Sequence, residues 1–318
     1  MSGHAHRAST VPDAVQRAHM AQPERARERS RGYFTLEVVV MWVAYVLMIA
    51  GNVAIEAGRL GGVTSATVAY GVFTWFTPAG YVFSIWSLIY VALIVWLVSY
   101  TKGAPSRPRR FTPVAGLFVA SSILNVLWLA VWHFQMIVPA FVVILLDWLV
   151  LAALYLNVRT GASSALGWVP ISLYTAWITV ATLSNMAILI TRALDGGMLL
   201  LNGASVVALA AGVVSLGIFM WRRFDDIVFQ LVFVWALVGV GVHVLDVSLA
   251  VAVVVWVLSV LGAVLTLVPF GRSRIAQVGG FVSADALRAA DGGLVSLVPD
   301  VPDRLIFVFR RNPACFLL

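Results

Sequence analysis

Long apolar runs, broken by short polar connections, organise this chain from Tyr33 to Phe270. Only sixteen residues in that stretch are Lys, Arg, Asp or Glu, and most sit in the breaks. A helix needs about 20 residues to cross roughly 30 Å of bilayer hydrocarbon. Inside lipid every backbone N–H and C=O must be bonded within its own segment or a closed sheet, so runs of this length predict helices. Eight spans follow, at about 35–56, 80–101, 112–134, 137–158, 167–190, 199–220, 226–244 and 248–270. The predicted fold class is all-α, a polytopic membrane helix bundle. The breaks at Gln135–Met136 and between Gly241 and Ser248 are the least marked.

Outside the spans, residues 1–32 carry Arg, Ala and His without an apolar period and are expected to form a disordered tail. Residues 271–318 form a second tail. No secretory signal is expected, because the first apolar run begins only after about 30 polar residues and is too long for a signal core. The end Cys315-Phe-Leu-Leu318 fits the C-a-a-X prenylation pattern. One lysine beside twenty arginines points to a GC-rich bacterial genome, where that modification is not expected, so the match is read as coincidence.

Composition and charge sharpen this picture. Apolar residues make up 61% of the chain and mean hydropathy is +0.97, against about half apolar in soluble domains. A net charge of +7 could suggest nucleic acid, but nineteen basic residues fall in the tails and alternate connections and only Arg59 and Arg192 in the others. That is the positive-inside pattern of an inner-membrane protein with both termini cytoplasmic, its basic rim held against membrane lipids. Nucleic acid is not needed to explain the charge. A single cysteine excludes an internal disulfide and a Cys-based metal site.

Candidate chemistry is concentrated in aromatic and amide side chains. The longest external connection, Ala57–Ala79, is Gly-rich, then carries Tyr70, Phe73, Trp75 and Phe76 before Thr77-Pro78. It either lies along the membrane surface or folds over the bundle as a lid. Trp86, Trp128, Trp148, Trp177, Trp235 and Trp256 fall well inside spans, where a buried indole N–H requires an acceptor. At 100° per residue, Asn125, Trp128 and Trp132 share one face of the third span, extended by Ser121. Tyr174, Trp177, Ala181 and Asn185 form a similar stripe on the fifth span, Trp86 and Tyr90 sit a turn apart on the second, and Tyr45, Asn52 and Glu56 align on the first. Each stripe alone could be helix packing. Their joint occurrence beneath an aromatic loop favours a cavity for a flat apolar ligand.

Asp147 lies mid-span, where a carboxylate costs about 2.5–3.5 kcal/mol and must face the bundle interior. A functional role and a structural hydrogen bond to the third or fifth span stand level. His133, and the pair His243 and Asp246, lie near external span ends and read as interface polar groups rather than metal ligands. Ala204, Ala208 and Gly212 form a small-residue seam for contact within the fold or within a homodimer. No HExxH, GxSxG or P-loop occurs, so no hydrolase or ATPase machinery is identified.

The residues also resemble the TspO/MBR (tryptophan-rich sensory protein / translocator protein) family. Pro78-Ala-Gly-Tyr81-Val82-Phe83-Ser-Ile-Trp86-Ser-Leu-Ile-Tyr90 resembles its Pro-Pro-x-Trp-Val-Phe and Trp-x-x-Leu-Tyr region. Leu124-Asn125-x-x-Trp128-x-x-x-Trp132-His133 is similar to its third-helix Leu-Asn-x-x-Trp motif, and Trp177-x-x-x-Ala181-x-x-Ser184-Asn185 to its fifth-helix Trp-x-x-x-Ala-x-x-Leu-Asn. The likeness runs from about Thr35 to Ile190. It implies a five-helix bundle over 33–192 that binds porphyrins, sterols or similar molecules, with three additional helices over 193–270. Asn125, Trp128, Trp177, Ala181 and Asn185 would line the pocket, with Tyr81 and Trp86 near its mouth. Tyr81, Ala79 and Ser184 depart from the family pattern.

Together these readings predict a membrane protein binding a tetrapyrrole or sterol-like ligand for sensing or transport, through Tyr81, Trp86, Tyr90, Asn125, Trp128, Trp132, Asp147, Trp177, Ala181 and Asn185. No cofactor is expected beyond the ligand itself. The rivals are a proton-coupled secondary transporter using Asp147 and an intramembrane enzyme acting on a lipid or porphyrin.

Overall fold

Lipid fixes the length of each element, and the turns between them come from local backbone chemistry. The computed structural model describes residues 36–102, 111–161, 164–194 and 199–267. Both tails, the Cys315 end and Asp195 lie outside the described residues. In order come α1 (Leu36–Ala57), a 3₁₀ turn (Leu60–Gly62), α2 (Ser65–Tyr70), a second 3₁₀ turn (Gly80–Ser84), α3 (Ile85–Lys102), α4 (Pro113–His133), α5 (Ile137–Gly161), α6 (Ala165–Ala193), α7 (Leu199–Phe224), α8 (Val228–Val244) and α9 (Leu249–Leu267). No strand occurs among the described residues.

Among the described residues, seven segments are long and apolar enough to cross a membrane, and α8 is a shorter apolar helix of 17 residues. At 1.5 Å per residue, α8 rises about 25 Å. It tolerates that length because Phe229, Gln230, Phe233, Leu237 and Val240 are buried against other helices rather than lipid. The protein is therefore a multi-pass membrane helix bundle. Large apolar side chains such as Val43, Leu47, Leu88, Val91, Leu149 and Leu261 face outward, while Asn52, Ser121, Asn125, Asp147, Asn185, Asp226 and Gln230 are buried.

Turn chemistry explains the breaks. Thr112 caps α4 by accepting from Ala115 N at 3.2 Å, with Pro113 in the first turn. The α4–α5 break closes at Gln135, which takes a left-handed φ of 57° and donates its N–H to Trp132 O at 2.9 Å. Asp225, with φ 55°, turns the chain between α7 and α8.

The helix α6 is the hub. Its most apolar window is 72% buried, against 22–39% for the other spans. It packs on α3, α5 and α8, and α8 in turn packs on α7 and α9. Helix α1 ties to α3 through Tyr45 Oη donating to Tyr90 O at 3.0 Å and Trp42 Nε1 donating to Thr101 Oγ1 at 3.3 Å. At the end of the bundle away from the Ala57–Ala79 loop, Asp226 joins three helices: it accepts from Tyr155 Oη at 2.9 Å, Ser172 Oγ at 2.5 Å and Val228 N at 2.9 Å. Arg159 donates to Phe224 O and covers the Trp168 ring at 4.0 Å. The last three helices are thus built into the first five.

Candidate functional site

The stripes noted in the sequence converge on one cavity of about 280 Å³ between α1, α3, α4 and α6, beneath α2 and the loop that follows it. Its wall includes Trp86, Tyr90, Asn125, Trp128, Trp132, Trp177, Ala181 and Asn185, eight of the ten residues singled out above. The aromatic rings fall into two groups. Trp128 and Trp132 stack with centroids 6.2 Å apart; Trp86 lies 5.6 Å from Tyr90 and meets Trp177 edge-on at 6.3 Å, as does Phe83 at 6.1 Å. Edge-to-face spacing of this kind is favourable for aromatic pairs.

Hydrogen bonds orient the wall. Asn52 donates from Nδ2 to Asn125 Oδ1 at 2.8 Å and to Tyr90 Oη at 3.0 Å. Trp128 Nε1 donates to Asn185 Oδ1 at 3.4 Å, and Asn185 donates to Ala181 O at 2.9 Å. Three other indoles inside spans also find acceptors: Trp148 reaches Thr179 Oγ1 at 3.0 Å, and Trp235 and Trp256 reach backbone carbonyls at 3.1 Å. Trp177 differs. Its Nε1 is buried without a hydrogen-bond partner while the residue lines the cavity, and Asn52 Oδ1 is likewise unpaired. A buried donor left unpaired costs about 1–3 kcal/mol, so these atoms mark where a bound molecule could be recognised.

The loop forms the roof. A capping box at Thr64 and Thr67 starts α2, whose Ser65, Ala66 and Ala69 enter the cavity wall. Glu56 pins this start by accepting from Ser65 Oγ at 2.7 Å and Ser65 N at 3.2 Å. Its Oε2 lies 3.3 Å from His133 Nε2, and Trp132 Nε1 donates to Ser65 O at 3.3 Å. Farther along, Trp75 and Phe76 are buried and Thr77 and Pro78 line the cavity. The loop therefore folds over the bundle rather than along the membrane surface. Tyr70 donates to Pro78 O at 2.9 Å, and burial raises its phenol above the ordinary value.

Two expected site residues fall outside the wall. Tyr81 is 47% exposed and meets Trp235 edge-on at 5.5 Å; the Gly80–Ser84 turn swings it toward α8, away from the space. Asp147 is buried behind the wall, accepting from Ser121 Oγ at 2.7 Å; Ser121 also reaches Tyr174 Oη at 3.3 Å. Asn125 lies beside Asp147, yet Asp147 Oδ2 and Asn125 Nδ2 each lack a partner. The contribution of α2 to the wall was not foreseen. The Thr64-x-x-Thr67 capping pattern was the available signal for α2. Among the described residues, no three His, Cys, Asp or Glu side chains group closely enough to hold a metal ion.

No curated protein and no solved structure matches this chain significantly. A sequence profile described as TSPO-like protein matches residues 38–268. The match begins within α1 and continues past Ile190, where the motif likeness stops, through the end of α9. Motif order, an all-helical membrane bundle and a match over most of its length agree, and the chain belongs to the TSPO-like family.

Proposed function

We propose that the cavity binds a flat, largely apolar molecule of the tetrapyrrole or sterol-like class, for sensing or transport. One observation carries this reading: Trp86, Trp128, Trp132 and Trp177, from three different helices, turn inward around a hollow instead of outward toward acyl chains, and one of them keeps an unpaired indole N–H there. Ligand pockets are apolar spaces with a few placed polar groups, usually about 300–1,000 Å³. At about 280 Å³ the cavity lies just below that range, so a macrocycle requires the roof to move. Orientation with both termini cytoplasmic in an inner membrane rests on the basic residues at one set of connections, and reporter fusions at each end test it.

The direct test is titration of purified protein with protoporphyrin IX and haem, followed by Trp fluorescence. Saturable quenching in the wild type, weakened at least about tenfold in Trp128→Phe/Trp177→Phe, is expected, since a tenfold change corresponds to about 1.4 kcal/mol of lost contact. Identical curves in both proteins would remove the proposal.

A second reading, proton-coupled transport, draws on the polar file that leads from Tyr90 through Asn52 and Asn125 to Asp147. Asp147→Asn separates the two. Loss of proton-linked flux with intact ligand binding favours transport, and unchanged flux removes it.

A further inference from the structure

We infer that α8 is the clamp of the cavity's lid: Trp235, Gly239 and His243 hold Phe73–Val82 closed over the site, and ligand exchange requires this clamp to release. The inference rests on the cavity being a ligand site, and its test separates the two ideas.

The three residues are spaced four apart, so they lie on one stripe of α8. Each meets the lid at its backbone. Trp235 Nε1 donates to Val82 O at 3.1 Å. Gly239 O accepts from Ala79 N at 3.0 Å. His243 Nε2 lies 3.1 Å from Thr74 O; a carbonyl only accepts, so that nitrogen carries the proton. The His243 ring also stacks on Phe73 at 5.2 Å and lies 5.4 Å from Tyr70. Gly239 is where the approach is tightest: a Cβ there would fall 2.2 Å from Val82 Cγ2, and Val82 is fully buried. Between these anchor points run Thr77 and Pro78, which form cavity wall. Helix α6 also anchors the lid, Ser184 Oγ donating to Phe76 O at 3.1 Å.

Gly239 is buried, but the two side chains that flank it on the stripe reach the edge of the bundle. Trp235 is 38% exposed and His243 half-buried, so these side chains can leave the lid without unpacking the interior. The buried side of α8, through Phe233, Leu237 and Val240, stays fixed while the clamp lets go. This gives the last three helices a role at a cavity that none of them lines: they position its cover.

The test uses full-length protein in nanodiscs with Cys315→Ser and a reporter at Ala69→Cys, a buried wall position on α2. Maleimide labelling reads lid opening without any ligand. Losing one lid hydrogen bond in His243→Ala or Trp235→Phe is expected to raise the labelling rate roughly two- to tenfold. His243→Gln, which keeps an N–H donor, should restore part of the protection. Gly239→Ala pushes the lid off sterically and should label fastest, which covers the case in which a polar variant fails to fold. Protoporphyrin IX should then associate and dissociate faster in the variants, with its equilibrium affinity changed far less than its rates. Labelling rates equal to wild type in His243→Ala, Trp235→Phe and Gly239→Ala overturn the clamp. Faster labelling in a protein that binds no protoporphyrin supports the clamp and counts instead against the proposed ligand.

Discussion

Small residues face inward in both halves of the bundle, with opposite results. Around the cavity, Ala66, Ala69, Ala181 and Ser184 stand opposite rings that do not reach them, and a hollow remains. Around α8, Gly217, Gly239 and Gly241 are seats for a neighbour's side chain. A Cβ on Gly241 would fall 2.0 Å from Trp256 Nε1, and one on Gly217 would fall 2.0 Å from Gln230 Oε1. The contrast shows that a small residue in a membrane helix marks close approach only when the neighbour's side chain is long enough to fill the gap. In the cavity half the opposing rings are held back, Trp128 by Asn185 and Trp132 by Ser65 O. Hydrogen bonds to the wall itself keep the space open.

The joint between the halves should be the most sensitive point. Asp226→Leu removes the acceptor for Tyr155, Ser172 and Val228 N together. With three buried donors orphaned, a loss on the order of 3 kcal/mol is expected, read as a lower thermal unfolding midpoint in detergent. A change within error would mean that the halves stand independently. Next comes the seat itself. Gly241→Ala must displace the Trp256 ring and break its bond to Val238 O, at about 1–3 kcal/mol for overpacking.

Ala181→Leu puts larger bulk into the other half and tests the comparison most directly. The added carbons enter the hollow beside Trp177, so stability should change by no more than about 0.5 kcal/mol. Protoporphyrin affinity should nevertheless fall at least about tenfold, because space in the wall is lost. Destabilisation as large as that of Gly241→Ala would mean that the hollow is already filled.

These differences mark what the chain reveals before it is folded. All eight predicted segments are helices with ends close to those expected, but among the described residues only seven are long enough to cross a membrane and α8 falls short. The Asn125–Trp128–Trp132 face was readable because helical periodicity alone brings those residues together. Asp147 was misplaced for a different reason. The cost of a mid-span carboxylate requires a partner but does not say whether that partner lies at a cavity, and Asp147 finds it in Ser121 on the third span, the structural alternative, behind the wall. Tyr81 was carried by motif position, which does not record how the Gly80–Ser84 turn is aimed. The α8 anchors were illegible on stronger grounds, since their partners on the lid are the backbone groups of Thr74, Ala79 and Val82. Backbone atoms leave no mark in residue identity.

The smallest effect is expected at Gln230, and its sign matters more than its size. Its amide is buried between Gly217 and Gly262, and neither Oε1 nor Nε2 has a hydrogen-bond partner. Nearby small residues give it room, but room is no compensation for lost water: an unpaired buried amide costs about 1–3 kcal/mol on mutational scales. Gln230→Met keeps the length and the fit against the glycines while removing both polar atoms. Stability should therefore hold or rise by up to about 1 kcal/mol, the reverse of the usual outcome for a core change. The same logic predicts the opposite for an amide of the cavity half. Asn125→Leu abandons the bond from Asn52 and leaves that donor to Tyr90 alone, so it should destabilise. A fall in stability for Gln230→Met matching that for Asn125→Leu would show that α8 depends on its amide as the cavity wall depends on its own, and the contrast between the halves would be lost.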